Sequence, residues 1–109
     1  MLGVFIGNLI VGKVKFGPKV IRVCRQLGSQ VKRSRLARKI TQELVAERSR
    51  ISVSTMKRIE NGDPSVALGS FLMVLHALSI LPDGLGIDDE LGEQLLLMEE
   101  RERAPRMPK

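Results

Sequence analysis

The chain has 109 residues, 43 % of them apolar, with three Phe and no Trp or Tyr. That is room for one small domain with a core of Leu, Ile, Val and Met. A single cysteine, Cys24, excludes an internal disulfide and fits a reducing, cytoplasmic setting. The net charge of +6 is segregated: residues 13–58 hold fourteen Lys and Arg against two acids, while residues 59–100 hold nine acids and no base. A basic block suits a polyanion; an acidic one suits a protein surface.

The first residues read as an extension. Leu2–Val11 is too short to span a bilayer and is broken by Gly3, Gly7 and Asn8. No basic region precedes it and no small-residue cleavage site follows, so it is a signal peptide only superficially. Val4–Ile6 and Leu9–Val11 flank Gly7-Asn8, a hairpin pattern. An isolated hairpin is marginal in water, so residues 1–18 are either a docked β-hairpin or disordered.

A helical pattern starts at Lys19. Val20, Val23, Leu27 and Val31 share one face, expected to turn inward, and Gly28-Ser29 is expected to divide a lead-in from the helix proper. Lys32, Arg33, Arg35, Arg38 and Lys39 crowd its end, as a solvated face or a phosphate contact. Thr41 caps a second helix over about Gln42–Arg48, with Glu43 in its first turn. Ser52 caps a third over about Val53–Glu60, which Asn61-Gly62 stops ahead of Asp63-Pro64. The fourth, about Leu68–Ile80, carries the stripe Leu68, Phe71, Leu72, Leu75 and Leu78, with Met73, Val74 and Ala77 beside it. A helix apolar on two sides needs two partners. Asp88–Glu102 reads as a fifth helix with Leu91, Leu95, Leu96 and Met98, and its acidic start suits the helix dipole. Residues 103–109 form a basic, proline-broken tail that reads as disordered.

Two short helices joined by a tight turn, the second led by small polar residues, describe a helix-turn-helix. Val45, Ala46, Ile51, Met56 and Ile59 are the candidate buried positions, with Ala46 where the two helices cross closely. Val53, Ser54, Lys57 and Arg58 then face outward, where such a helix meets base edges. The stretch TQELVAERSRISVSTMKRIENG, Thr41 to Gly62, resembles the Xre/Cro/phage-repressor family without a gap. LGSQVKRSRLARKI and VALGSFLMVLHALSIL resemble that family's first and fourth helices, so the likeness covers about Leu27–Leu81.

The resemblance implies an all-α, five-helix, lambda-repressor-like fold, with residues 19–82 as the DNA-binding domain and 83–102 as a helix for dimer or partner contact. By the same resemblance Gln42 and Asn61 would meet phosphate. Ser54, with Val53, Lys57 and Arg58, would face bases, and Ser52 would also contact DNA. Arg35 and Glu60 would form a structural salt bridge. Three positions depart from the family wording: Arg50 and Lys39 stand where Gly is common, and Ser34 where an apolar residue is usual.

Nothing in the chain has the spacing of paired catalytic carboxylates, a phosphate-cradling glycine loop or a metal site, so neither an enzyme nor a cofactor is expected. His76 reads as a packing or surface residue, Cys24 as a core thiol, and Met73 and Met98 as gap-fillers. The expected function is a DNA-binding transcriptional regulator, a repressor acting as a homodimer on a palindromic operator. The fourth and fifth helices would form the dimer through Met73, Val74, Leu91 and Leu95. Residues 4–16 would either add a strand to that contact or be dispensable. The alternative is an antitoxin that neutralises a kinase-like toxin partner and represses its own operon. The stretch IENGDPSVALGSFLMVLHALSIL resembles the HipB-type branch. No membrane association is expected.

Overall fold

The computed structural model describes residues 10–11, 14–84 and 86–103. Five helices dominate: α1 (Pro18–Ala37), α2 (Gln42–Ser49), α3 (Val53–Glu60), α4 (Leu68–Ala77) and α5 (Glu90–Arg103). The chain is all-α apart from a small antiparallel hairpin of β1 (Ile10–Val11) and β2 (Val14–Lys15), with Ile10 opposite Lys15 and Val11 opposite Val14. The turn expected at Gly7-Asn8, the strand expected at Val4–Ile6 and most of the basic tail lie outside the described residues.

Gly17 and Pro18 open α1, the proline supplying a fixed φ at a position whose N–H has no helical acceptor. The helix then runs through Gly28 without a break, contrary to the expected division. Gly28 is buried, and a Cβ there would sit 2.5 Å from the Ile59 carbonyl oxygen and 2.8 Å from that of Glu60. Its missing side chain lets α1 touch the backbone at the end of α3. Gly62, at φ +75°, completes the contact, since a Cβ there would meet the Arg25 Cα at 2.6 Å.

This contact resets the buried face of α1, which runs through Ile21, Gly28, Val31 and Arg35. Val20, Val23 and Leu27, expected inside, are 49 %, 41 % and 39 % exposed. Only Val31 of the expected face is buried; the pattern placed the rest of the seam about one residue off, because it took Gly28 for a break.

The core is small: Val31, Val45, Ala46, Met56, Ile59, Val74 and Leu78 are all buried. The main packings are α2 on α4, α2 on α3 and α1 on α3. Val74, expected at a dimer contact, is fully enclosed in this core and offers nothing to a partner. Cys24 is only half-buried, and Met73 and Met98 are exposed, so none of the three fills a gap in the core.

Helices α1 to α4 share one way of stopping. After each, a residue takes the left-handed conformation: Lys39 (φ 54°), Arg50 (φ 57°), Gly62 (φ 75°) and Ser79 (φ 61°). Each time two backbone N–H groups turn back to the last helical carbonyls. At α4 the Ser79 N–H meets the His76 oxygen at 3.0 Å and the Ile80 N–H meets the Leu75 oxygen at 2.9 Å. This is why α4 ends at Ala77 rather than at Ile80. Ile40, Ile51 and Ile80, one residue beyond three of these turns, pack against the core. Such an apolar contact commonly accompanies the closure.

Candidate nucleic-acid interface

Two side-chain caps set the angle of the central pair. Thr41 Oγ1 accepts from the Leu44 N–H at 3.1 Å, and Ser52 Oγ accepts from the Thr55 N–H at 3.0 Å. Between them Arg50 turns the chain in the left-handed region. Val45 and Ala46 of α2 meet Met56 and Ile59 of α3 in the core. The opposite side of α3 is left open: Ser54, Lys57, Arg58 and Asn61 are all exposed. Their spacing of three, one and three is a single helix face.

The other sequence candidates divide. Val53 is half-buried and packs against the core, so it does not stand outward as expected. Ser52 lies on the surface, but its hydroxyl is committed to the cap and also donates to Thr55 Oγ1 at 2.9 Å.

Behind the open face lies a charged cluster. Arg35 Nε donates to Glu60 Oε2 at 2.6 Å and Arg35 Nη2 donates to Glu60 Oε1 at 3.1 Å. Arg35 Nη1 donates to the Ile40 carbonyl at 2.9 Å, so the guanidinium also holds the α1–α2 turn. Both residues are buried. The hydrogen bond to Glu60 raises the Arg35 pKa above its ordinary value, against the opposing effect of burial. Gln42 joins the same carboxylate, its Nε2 donating to Glu60 Oε1 at 2.9 Å. One amide hydrogen of Gln42 is thereby used. Glu60 thus links α1, α2 and α3.

Arg58 is held as well. Its Nε donates to Asp63 Oδ2 at 2.8 Å and its Nη2 donates to Ser65 Oγ at 2.6 Å. Asp63 in turn accepts from the Ser65 N–H at 2.8 Å and from the Ser65 hydroxyl at 2.6 Å. Burial pushes the Asp63 carboxyl up, but the hydrogen bonds from Ser65 and Arg58 outweigh it and leave its pKa below the usual value. Asp63 and Ser65 were missed as partners of Arg58. The available signal was Asp63-Pro64-Ser65 directly after the helix stop, a sequence that favours a side-chain-braced turn.

Lys32, Arg33, Lys39, Arg48 and Arg50 are also exposed, and none makes an ion pair among the described residues. A capped helix pair, a polar outer face and exposed bases are the parts needed to dock a helix in a DNA groove. A family model described as a helix-turn-helix domain matches residues 26–95. The chain belongs to this helix-turn-helix family. No curated protein and no solved structure matches the chain. The family match begins inside α1 and ends inside α5, so the first two turns of α1 lie outside it. Helix-turn-helix domains are DNA-binding modules of regulators and are typically not enzymes. Among the described residues, no helix is long and apolar enough to cross a membrane, and no cluster of His, Cys, Asp and Glu could hold a metal.

Proposed function

We propose that the chain is a sequence-specific, cytoplasmic DNA-binding repressor of the Xre/Cro type, acting as a homodimer on a palindromic operator. One observation carries this reading: the outer face of α3 presents Ser54, Lys57, Arg58 and Asn61 to solvent while its inner face is locked into the core. In this reading Ser54 and Arg58 read bases, Lys57 and Asn61 meet bases or phosphate, and Gln42 sets register on the backbone. Residues 19–82 are the DNA-binding unit and 83–102 the helix for self-association. Leu91 and Leu95, both exposed, suit that role.

Quantitative binding to a selected operator tests it. Ser54→Ala or Arg58→Ala should weaken the best site by about 1–3 kcal/mol and relax preference at one or two base pairs. An equal loss on every sequence removes base readout from these residues.

The antitoxin reading draws on the HipB-like stretch and on α5, whose leucines are exposed. Co-purification with a kinase-like protein encoded beside it would favour that role, which is compatible with repression.

A further inference from the structure

We propose that α5 of a second copy lies in an apolar groove between α1 and the start of α4, so that two chains exchange their fifth helices. This rests on the homodimer reading and names the surface that it uses.

The groove has a volume of about 290 Å³ and is lined by Cys24, Leu27, Pro64, Val66, Leu68 and Phe71 among others. Its rim is open, with Leu68 at 72 % exposure. Val20 and Val23 carry the apolar surface on toward the start of α1, in the turns that precede the family match. The complementary element is on the same chain. Leu91, Leu95 and Met98 recur at spacings of four and three, which is one face of α5, and all three are exposed. No residue of α5 is buried. A helix of 14 residues is marginal on its own and draws its stability from a packed face.

Charge selects this occupant. Residues 18–27 contain Lys19, Arg22 and Arg25 and no acid, whereas residues 88–100 contain six acids and no base. Lys19, Arg22 and Arg25 make no ion pair among the described residues. The acid nearest the groove, Asp63, is already engaged by Arg58. An acidic helix with an apolar stripe therefore fits a basic-rimmed apolar slot, the helix-in-groove mode of recognition.

The chain's own α5 leaves this groove open: no residue of α5 lines it and none is buried. In this structure α5 has no extensive packing on any other helix. A twofold exchange covers both grooves and both fifth helices at once and closes the assembly.

Cys24 lines the groove and is the chain's single thiol, so Leu95→Cys gives a specific probe. Mild oxidation of that variant should yield a covalent dimer on non-reducing denaturing gels, absent when Cys24→Ser is added and absent from wild type. A cross-linked monomer, or no Cys24-dependent cross-link, overturns the exchange. Sedimentation provides the second arm. Leu68→Glu, at an exposed site that leaves the core intact, should raise the dimer Kd by more than about tenfold with an unchanged melting temperature. If Leu68→Glu remains as dimeric as wild type, the groove is wrong and the homodimer stands. If wild type is a monomer at tens of micromolar, the homodimer and the groove fall together.

Discussion

Helices α3 and α5 are both short and amphipathic, yet they behave differently. In the eight residues of α3, Met56, Ile59 and Glu60 are buried and the outer face is wholly polar. In the fourteen residues of α5, five large apolar side chains stay in water and none is buried. Each inner residue of α3 has a fixed neighbour, so its outer residues can be held in register against a ligand. No residue of α5 is buried among the described residues, so its apolar stripe is left exposed.

The sharpest way to break this comparison is to remove what fixes α3. Glu60→Ala leaves Arg35 buried without its carboxylate and detaches Gln42, so it should cost about 3–5 kcal/mol in denaturant unfolding. A loss below about 1 kcal/mol would place the pair among surface ion pairs. Gly28→Ala attacks the same anchorage from α1. The new Cβ meets backbone carbonyls that cannot step aside, and about 1–3 kcal/mol should be lost.

The turn between α2 and α3 can be improved instead. A non-glycine residue in the left-handed region costs about 1–2 kcal/mol, and Arg50 sits there at φ 57°. Arg50→Gly should therefore raise stability by about 1 kcal/mol, as an increased denaturation midpoint at constant m-value. Truncation after Pro82 examines the other side of the comparison. With no buried residue in α5, the four-helix body should unfold within about 0.5 kcal/mol of the full chain at protein concentrations where both are monomeric.

The smallest effect concerns pH. Asp63 has a lowered folded-state pKa, so its contribution is present above the unfolded carboxylate value, about 3.9, and is lost as pH falls through the folded value. Asp63→Asn should flatten the acid limb of the stability profile below about pH 4 and leave the rest unchanged. An unaltered acid limb would mean that the Arg58–Asp63–Ser65 network adds nothing to folding.

The parts of the fold that could be read from the sequence are those whose cause is local. Thr41 and Ser52 announce the starts of α2 and α3, and the expected span Val53–Glu60 is the observed one. The helix ends were harder. Three of the four left-handed closures use Lys, Arg or Ser rather than Gly. Resemblance pointed to Lys39 and Arg50 as glycine positions; Ser79 had no such signal, and α4 was drawn too long. The inner face of α1 was misplaced because it depends on α3, twenty-five or more residues away, reaching Gly28. At the candidate site, the outer face of α3 followed from helical spacing once Met56 and Ile59 were placed inside, except for Val53, which packs against the core. The braces behind it, Gln42 to Glu60 and Arg58 to Asp63 and Ser65, join residues by contacts that periodicity does not encode.

The central claim is that α3 reads DNA from a symmetric pair of chains. Sequencing the fragments of a random or genomic DNA pool bound by the purified chain addresses it most directly. The account predicts enrichment of an inverted repeat whose half-sites are about one helical turn, or a whole multiple of it, apart, with the enrichment lost in Arg58→Ala. Recovery of fragments with no shared sequence, or of a single unrepeated half-site bound by one chain, would contradict it.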